Sequence, residues 1–231
     1  GEEPRVGHAL LGMGLCAQQS GDRSRAVQLF EEAAQRGGAL LWVKAAALNN
    51  AGMALLEEGR YAEAEAPLLE GLRANEESDD GRGDRRGIAH SHASLGELCY
   101  RLARFEEAQQ WLEHTQAEAR EIEDGRCEQQ AVAMLVRVLV LQNQTREAEQ
   151  LSANLALMPG AEDPELAALC RLARLEAACA GEAPPQGDLL PSAQVGASGE
   201  GPDLPSAGAL NAQVEALCVA LECALRHRDG A

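Results

Sequence analysis

Between residues 7 and 158 the chain alternates small and large apolar positions at fixed intervals. Four alanines mark the pattern: Ala26 in RSRAVQLFEEA, Ala64 in YAEAEAPLLEG, Ala108 in FEEAQQWLEHT and Ala148 in TREAEQLSANL. Twelve residues before each lies Gly14, Gly52, Gly96 or Val136, and four after each lies Phe30, Leu68, Leu112 or Ser152. Five residues before each stands a helix breaker or its substitute: Gly21, Gly59, Ala103 and Asn143. Two helices that cross closely need small residues at the crossing and a large apolar residue one turn away to fill the core. A short turn between them reverses the chain. The pattern therefore predicts four helical hairpins, near 7–37, 45–75, 84–122 and 125–158.

The hairpins recur after 38, 44 and 40 residues. None can bury its apolar face alone, so stacking on neighbours completes the core. The predicted fold is all-α, an α-solenoid of stacked hairpins. Asp163-Pro164 starts another helix, since Asp suits the N-cap and Pro the first helical position. That helix runs over 163–180, so the array covers 1–181. Residues 182–206 (EAPPQGDLLPSAQVGASGEGPDLPS) read as a flexible linker and the preferred protease site. A terminal helix over 207–231 carries Leu210, Val214, Leu217, Leu221 and Leu225 on one stripe, as a cap or half of a fifth hairpin.

ALLGMGLCAQQSGDRSRAVQLFEEA, LNNAGMALLEEGRYAEAEAPL and HASLGELCYRLARFEEAQQWL resemble tetratricopeptide repeats. The paired small residues, turn Gly, Ala and later large residue fall in place. The fourth unit departs, with Val136 for Gly and Ser152 for the large residue. The period exceeds the family's usual ~34 residues. Together with EESDDGRGDRRGIAHSHASLGEL and EAREIEDGRCEQQA it is similar to the long-repeat subfamily, seen in kinesin light chains, animal polarity adaptors and bacterial signal-transducing regulators. The resemblance implies a protein-binding module without cofactor or enzymatic activity, inside a larger signalling or regulatory protein. It also leaves room for a structural spacer or oligomerisation scaffold, or for the sensor arm of a bacterial transcriptional or kinase regulator.

Composition narrows the partners. Apolar residues make up 45% and aromatics 3%, consistent with helix formers over strand formers. A net charge of −17 repels phosphate backbones and anionic bilayers, so neither nucleic acid nor membrane is an expected partner. Seven cysteines without a CxxC pair suit a reducing compartment, the cytoplasm first and the nucleus also open. The opening without Met, in what reads as a first helical turn, suggests a piece of a longer protein.

The candidate chemistry is recognition. His90 and His92 sit two apart on a helix and diverge, so they cannot share a metal. No phosphate loop, nucleophile elbow or metal motif occurs, and no metal or cofactor is expected. In stacked hairpins the first helices line a concave face. Its stripe comprises His8, Leu11, Leu15 and Gln18; Asn49, Met53 and Leu56; His90, Ala93, Glu97, Tyr100 and Arg101; and Gln130, Ala133 and Arg137. In the LNNAG context Asn49 and Asn50 resemble asparagines with which the long-repeat subfamily grips a peptide backbone, since an amide both donates and accepts. Only Arg101 and Arg137 supply basic groups, which argues against a clamp for a C-terminal carboxylate. The expected ligand is a peptide, helix or domain, amphipathic and with basic character.

Overall fold

A computed structural model describes residues 3–37, 40–77, 84–158, 170–174, 176 and 177. Among the described residues the chain is helical, without strands. The helices are α1 (Glu3–Gln19), α2 (Arg23–Arg36), α3 (Leu41–Glu57), α4 (Tyr61–Glu77), α5 (Arg85–Arg101), α6 (Phe105–Glu121), α7 (Gly125–Leu141) and α8 (Thr145–Leu157). A further helical stretch covers the described part of 170–177, within the expected helix 163–180. The linker 182–206 and terminal helix 207–231 lie outside the described residues. No helix among those described is long and apolar enough to cross a membrane.

The turns explain where the helices stop. Gly21 (φ 84°), Gly59 (φ 76°), Ala103 (φ 55°) and Asn143 (φ 60°) all adopt left-handed backbone, as does Glu123 (φ 57°) between α6 and α7. Each turn is closed by the same two bonds. At Gly59, its own N–H donates to the Leu56 carbonyl at 3.0 Å, and the next N–H, of Arg60, donates to the Leu55 carbonyl at 2.9 Å. The equivalent pair recurs at Gly21, Ala103, Glu123 and Asn143. This arrangement satisfies carbonyls that a helix end would leave open. Asp22 and Asp84 cap the following helices by accepting from the Arg25 and Gly87 backbone N–H groups, each at 3.1 Å.

Two compact units result, 1–131 and 132–231, dividing inside α7. In the second half of α7, Val132, Ala133, Val136 and Leu139 build a separate core with Ala148, Leu155, Ala173 and Ala177.

In the first unit each helix packs on the next, α1 on α2, α2 on α3, and so on to α6. The expected small–large pairs meet at the crossings. A methyl added to Gly14 would lie 2.5 Å from the Phe30 ring, one on Gly52 2.5 Å from Leu68, and one on Gly96 2.8 Å from Leu112. Phe30, Leu68, Leu112, Ala26, Ala64 and Ala108 are buried around these crossings. At the α4–α5 corner Asn75 is also buried, and its Nδ2 donates to the Ser91 hydroxyl at 3.1 Å. Exposed ion pairs such as Arg23–Glu57 (3.1 Å) and Arg104–Glu65 (2.7 Å) join neighbouring hairpins, each contributing at most ~1 kcal/mol.

Candidate partner-binding face

The backbones of α1, α3 and α5 approach one another in succession, whereas among the described residues those of α2 and α4, and of α4 and α6, stay farther apart. The first helices of the three hairpins therefore form a contiguous layer. Their glycines point at the second helices. Residues one position after each glycine, or six before it, emerge on a different side of the same helix. That rule selects Leu15 and His8 on α1, Met53 and Ala46 on α3, and Glu97 and His90 on α5.

The structure leaves most of this stripe accessible. Leu15 is 40% exposed, His8, His90 and Arg101 are exposed, and Asn49, Asn50, Met53, Glu97 and Tyr100 are half-buried. Leu11 departs from expectation. It is only 7% exposed and belongs to the core of the first unit, because its azimuth turns it toward the crossing and away from water. Ala133 is likewise buried, in the core of the second unit.

Trp42 joins the face although the spacing of small residues does not flag it. It is 46% exposed near the start of α3, and its ring meets that of His8 on α1 edge-on, 5.2 Å between centroids. The available signal was its position eleven residues before Met53, close to three turns and so on nearly the same side of the helix. His8, Leu15, Trp42 and Met53 thus give the α1–α3 part of the layer an apolar character, while α5 presents His90, Glu97, Tyr100 and Arg101.

The polar groups are partly engaged. Asn50 Nδ2 donates to the Ala46 carbonyl at 2.8 Å, one turn back on its own helix. Asn49 Oδ1 is buried without a hydrogen-bond partner, beside the backbone where Gly71 of α4 approaches α3. Arg101 donates to Glu97 at 3.1 Å. Arg137 lies in the second unit, where its guanidinium grips Glu176 at 2.8 and 3.3 Å. The two arginines expected to be available for a ligand therefore both hold carboxylates of this chain.

His90 and His92 diverge as their spacing requires. His90 faces solvent, and His92 turns toward Trp111 and His114 of α6. Among the described residues no three His, Cys, Asp or Glu side chains gather as a metal site. Cys16, Cys99, Cys127 and Cys170 are free. Burial pushes the Cys99 and Cys127 thiols up to about 11, which keeps them protonated and poorly nucleophilic at neutral pH.

Compared with known proteins, the chain matches no family model and no curated protein sequence.

Proposed function

We propose that this chain is a tetratricopeptide-type module of the long-repeat kind. In this reading its hairpins stack as an α-solenoid, and it acts by docking a protein partner across α1, α3 and α5. The observation that carries the reading is the exposure of two large apolar side chains, Leu15 on α1 and Trp42 on α3, with the Trp42 ring set against His8 across the two helices. Exposed aromatic and aliphatic groups gathered on one surface favour a partner that covers them. Closer backbone approach between the first helices than between the second helices supports a layer that curves inward on the first-helix side. The repeated left-handed turns and small–large crossings support a repeat origin for the hairpins.

The partner fitting this face is amphipathic, with an apolar anchor for the α1–α3 end. A basic character follows from the charge of −17, which attracts cations at long range and speeds association more than it tightens the complex. The free thiols of Cys16, Cys99, Cys127 and Cys170, two of them buried, accord with a reducing compartment. Pull-down of a partner with the parent chain, repeated with Leu15→Ser, Trp42→Ala and Asn50→Ala, tests the proposal. Loss of the partner with Leu15→Ser and Trp42→Ala, but not with Leu157→Ser in the second unit, is the expected result. Full retention by the first three variants would move the function to another surface, or to a spacer role.

A further inference from the structure

A cluster inside the α5–α6 hairpin has no part in the face described above. His92 of α5 packs beside Trp111 (ring centroids 5.3 Å, planes 32° apart) and His114 (5.4 Å, 48°) of α6. Trp111 and His114 meet edge-on at 6.2 Å. His92 Nδ1 is buried and has no hydrogen-bond partner. A neutral imidazole tolerates this, because a bare ring nitrogen can be left as an unused acceptor. An imidazolium carries N–H groups on both nitrogens. One of them would then be a buried donor with nothing to accept from it.

No carboxylate offsets such a charge. From α6 the titratable group facing His92 is His114. From α3, α4 and the first turn of α7, the other helices in contact with α5, no charged group acts on it among the described residues. On α6, one turn beyond His114, Glu118 keeps a buried Oε2 without a hydrogen-bond partner, 4.0 Å from the Arg85 guanidinium, and it has no part in the His92 shift; Glu65 of α4 pairs with Arg104, and Asp124 before α7 with Arg86.

We propose that the His92–Trp111–His114 cluster makes the α5–α6 hairpin an acid-sensitive latch: neutral imidazoles let the two helices close, and protonation of His92 drives them apart. The inference concerns the opening of this hairpin and does not rest on the partner-binding reading. Burial, and then the charge of His114, lower the His92 pKa from 6.5 to about 4. The folded hairpin therefore binds fewer protons than the unfolded chain between those two values. Closure is at full strength above pH ~6.5, and weakens as the pH falls toward 4. Because α5 also presents His90, Glu97, Tyr100 and Arg101, the latch places part of the first-helix face under the same control.

Hydrogen–deuterium exchange of the full chain at pH 7 and pH 5, corrected for intrinsic exchange rates, tests the latch. At pH 5 most ordinary carboxylates remain ionised. Linkage through a fully buried group with this pKa change gives a ~30-fold shift in the opening equilibrium at pH 5, and solvent access to the ring reduces it to about tenfold. Protection across 85–121 should fall by about tenfold relative to 41–77 on going to pH 5. His92→Gln should remove that difference, and His90→Gln, on the same helix but facing solvent, should keep it. His114→Gln, which leaves His92 in place, should reduce it, so the test stands even if His92→Gln fails to fold. Equal protection of the two hairpins at both pH values would overturn the proposal, as would an undiminished acid effect in His92→Gln or His114→Gln.

Discussion

Gly52→Ala is a small change with a sharply defined consequence. Gly52 faces α4, and the added methyl would lie 2.5 Å from both Cγ and Cδ2 of Leu68. Ordinary van der Waals contact begins near 3.4 Å, so Leu68 must retreat by about 1 Å. It has nowhere to go, being fully buried between α3 and its neighbours. Overpacking of this kind costs ~1–3 kcal/mol, and the better helix propensity of Ala returns up to ~1 kcal/mol. The net loss should be ~1–2 kcal/mol. Leu68→Ala alone opens a cavity and should cost ~2–5 kcal/mol. In that background Gly52→Ala should become neutral or stabilising, because its methyl enters the space left by Leu68. Urea unfolding of the four proteins in this cycle measures the coupling, expected at ~1–3 kcal/mol. Gly12→Ala provides the control, since nothing lies within 4 Å of its added methyl, and it should stabilise by ~0.5–1 kcal/mol. Additive behaviour within ~0.5 kcal/mol would refute the assignment of Gly52 and Leu68 as a crossing pair.

Other consequences follow from the same packing. Ala108→Leu inserts three carbons at a fully buried crossing and should lower stability by ~1–3 kcal/mol in urea melts. Ala103→Gly relieves a left-handed residue (φ 55°) in an exposed turn, and should raise the melting temperature through a gain of ~0.5–1 kcal/mol. Asn75→Ala strips the buried Ser91 hydroxyl of its 3.1 Å partner and should cost ~1–3 kcal/mol, part of which Ser91→Ala should restore in calorimetry.

The helical hairpins were legible because their requirements are local. A reversal between helices demands a left-handed residue, and Gly21, Gly59 and Asn143 are residue types that accept one readily. The turn at Glu123 carries no sequence signal, because Glu is not a residue type that favours left-handed backbone, and backbone bonds close the turn. The close crossings were legible for a similar reason, since they need small residues at fixed spacing. The face was harder to read. Leu11 shares the helical spacing of the stripe, but three residues before Gly14 it lies nearer the side of α1 that faces the crossing, and it is buried. Trp42 stands outside the repeated marks. The engagement of Arg137 by Glu176 depends on segments 39 residues apart, and the meeting of His92 with His114 on the rotation of two helices about their axes. Neither quantity is written in a periodicity. The division at 131–132 is of the same kind, because it reflects which half of α7 faces which core.

The central claim, that the α1–α3–α5 layer holds a partner through its apolar end, is tested most directly with a defined ligand. A peptide enriched from a random display library on the full chain provides one, and isothermal titration measures its affinity for the parent and for variants. Burial of Leu15 and Trp42 under the peptide predicts that Leu15→Ser and Trp42→Ala each weaken binding by at least tenfold, the equivalent of ~1.4 kcal/mol. Met13→Ser, at a 53%-exposed position of α1 turned away from this layer, should bind as the parent does. Unchanged affinity in both Leu15→Ser and Trp42→Ala, with loss in Met13→Ser, would contradict the account.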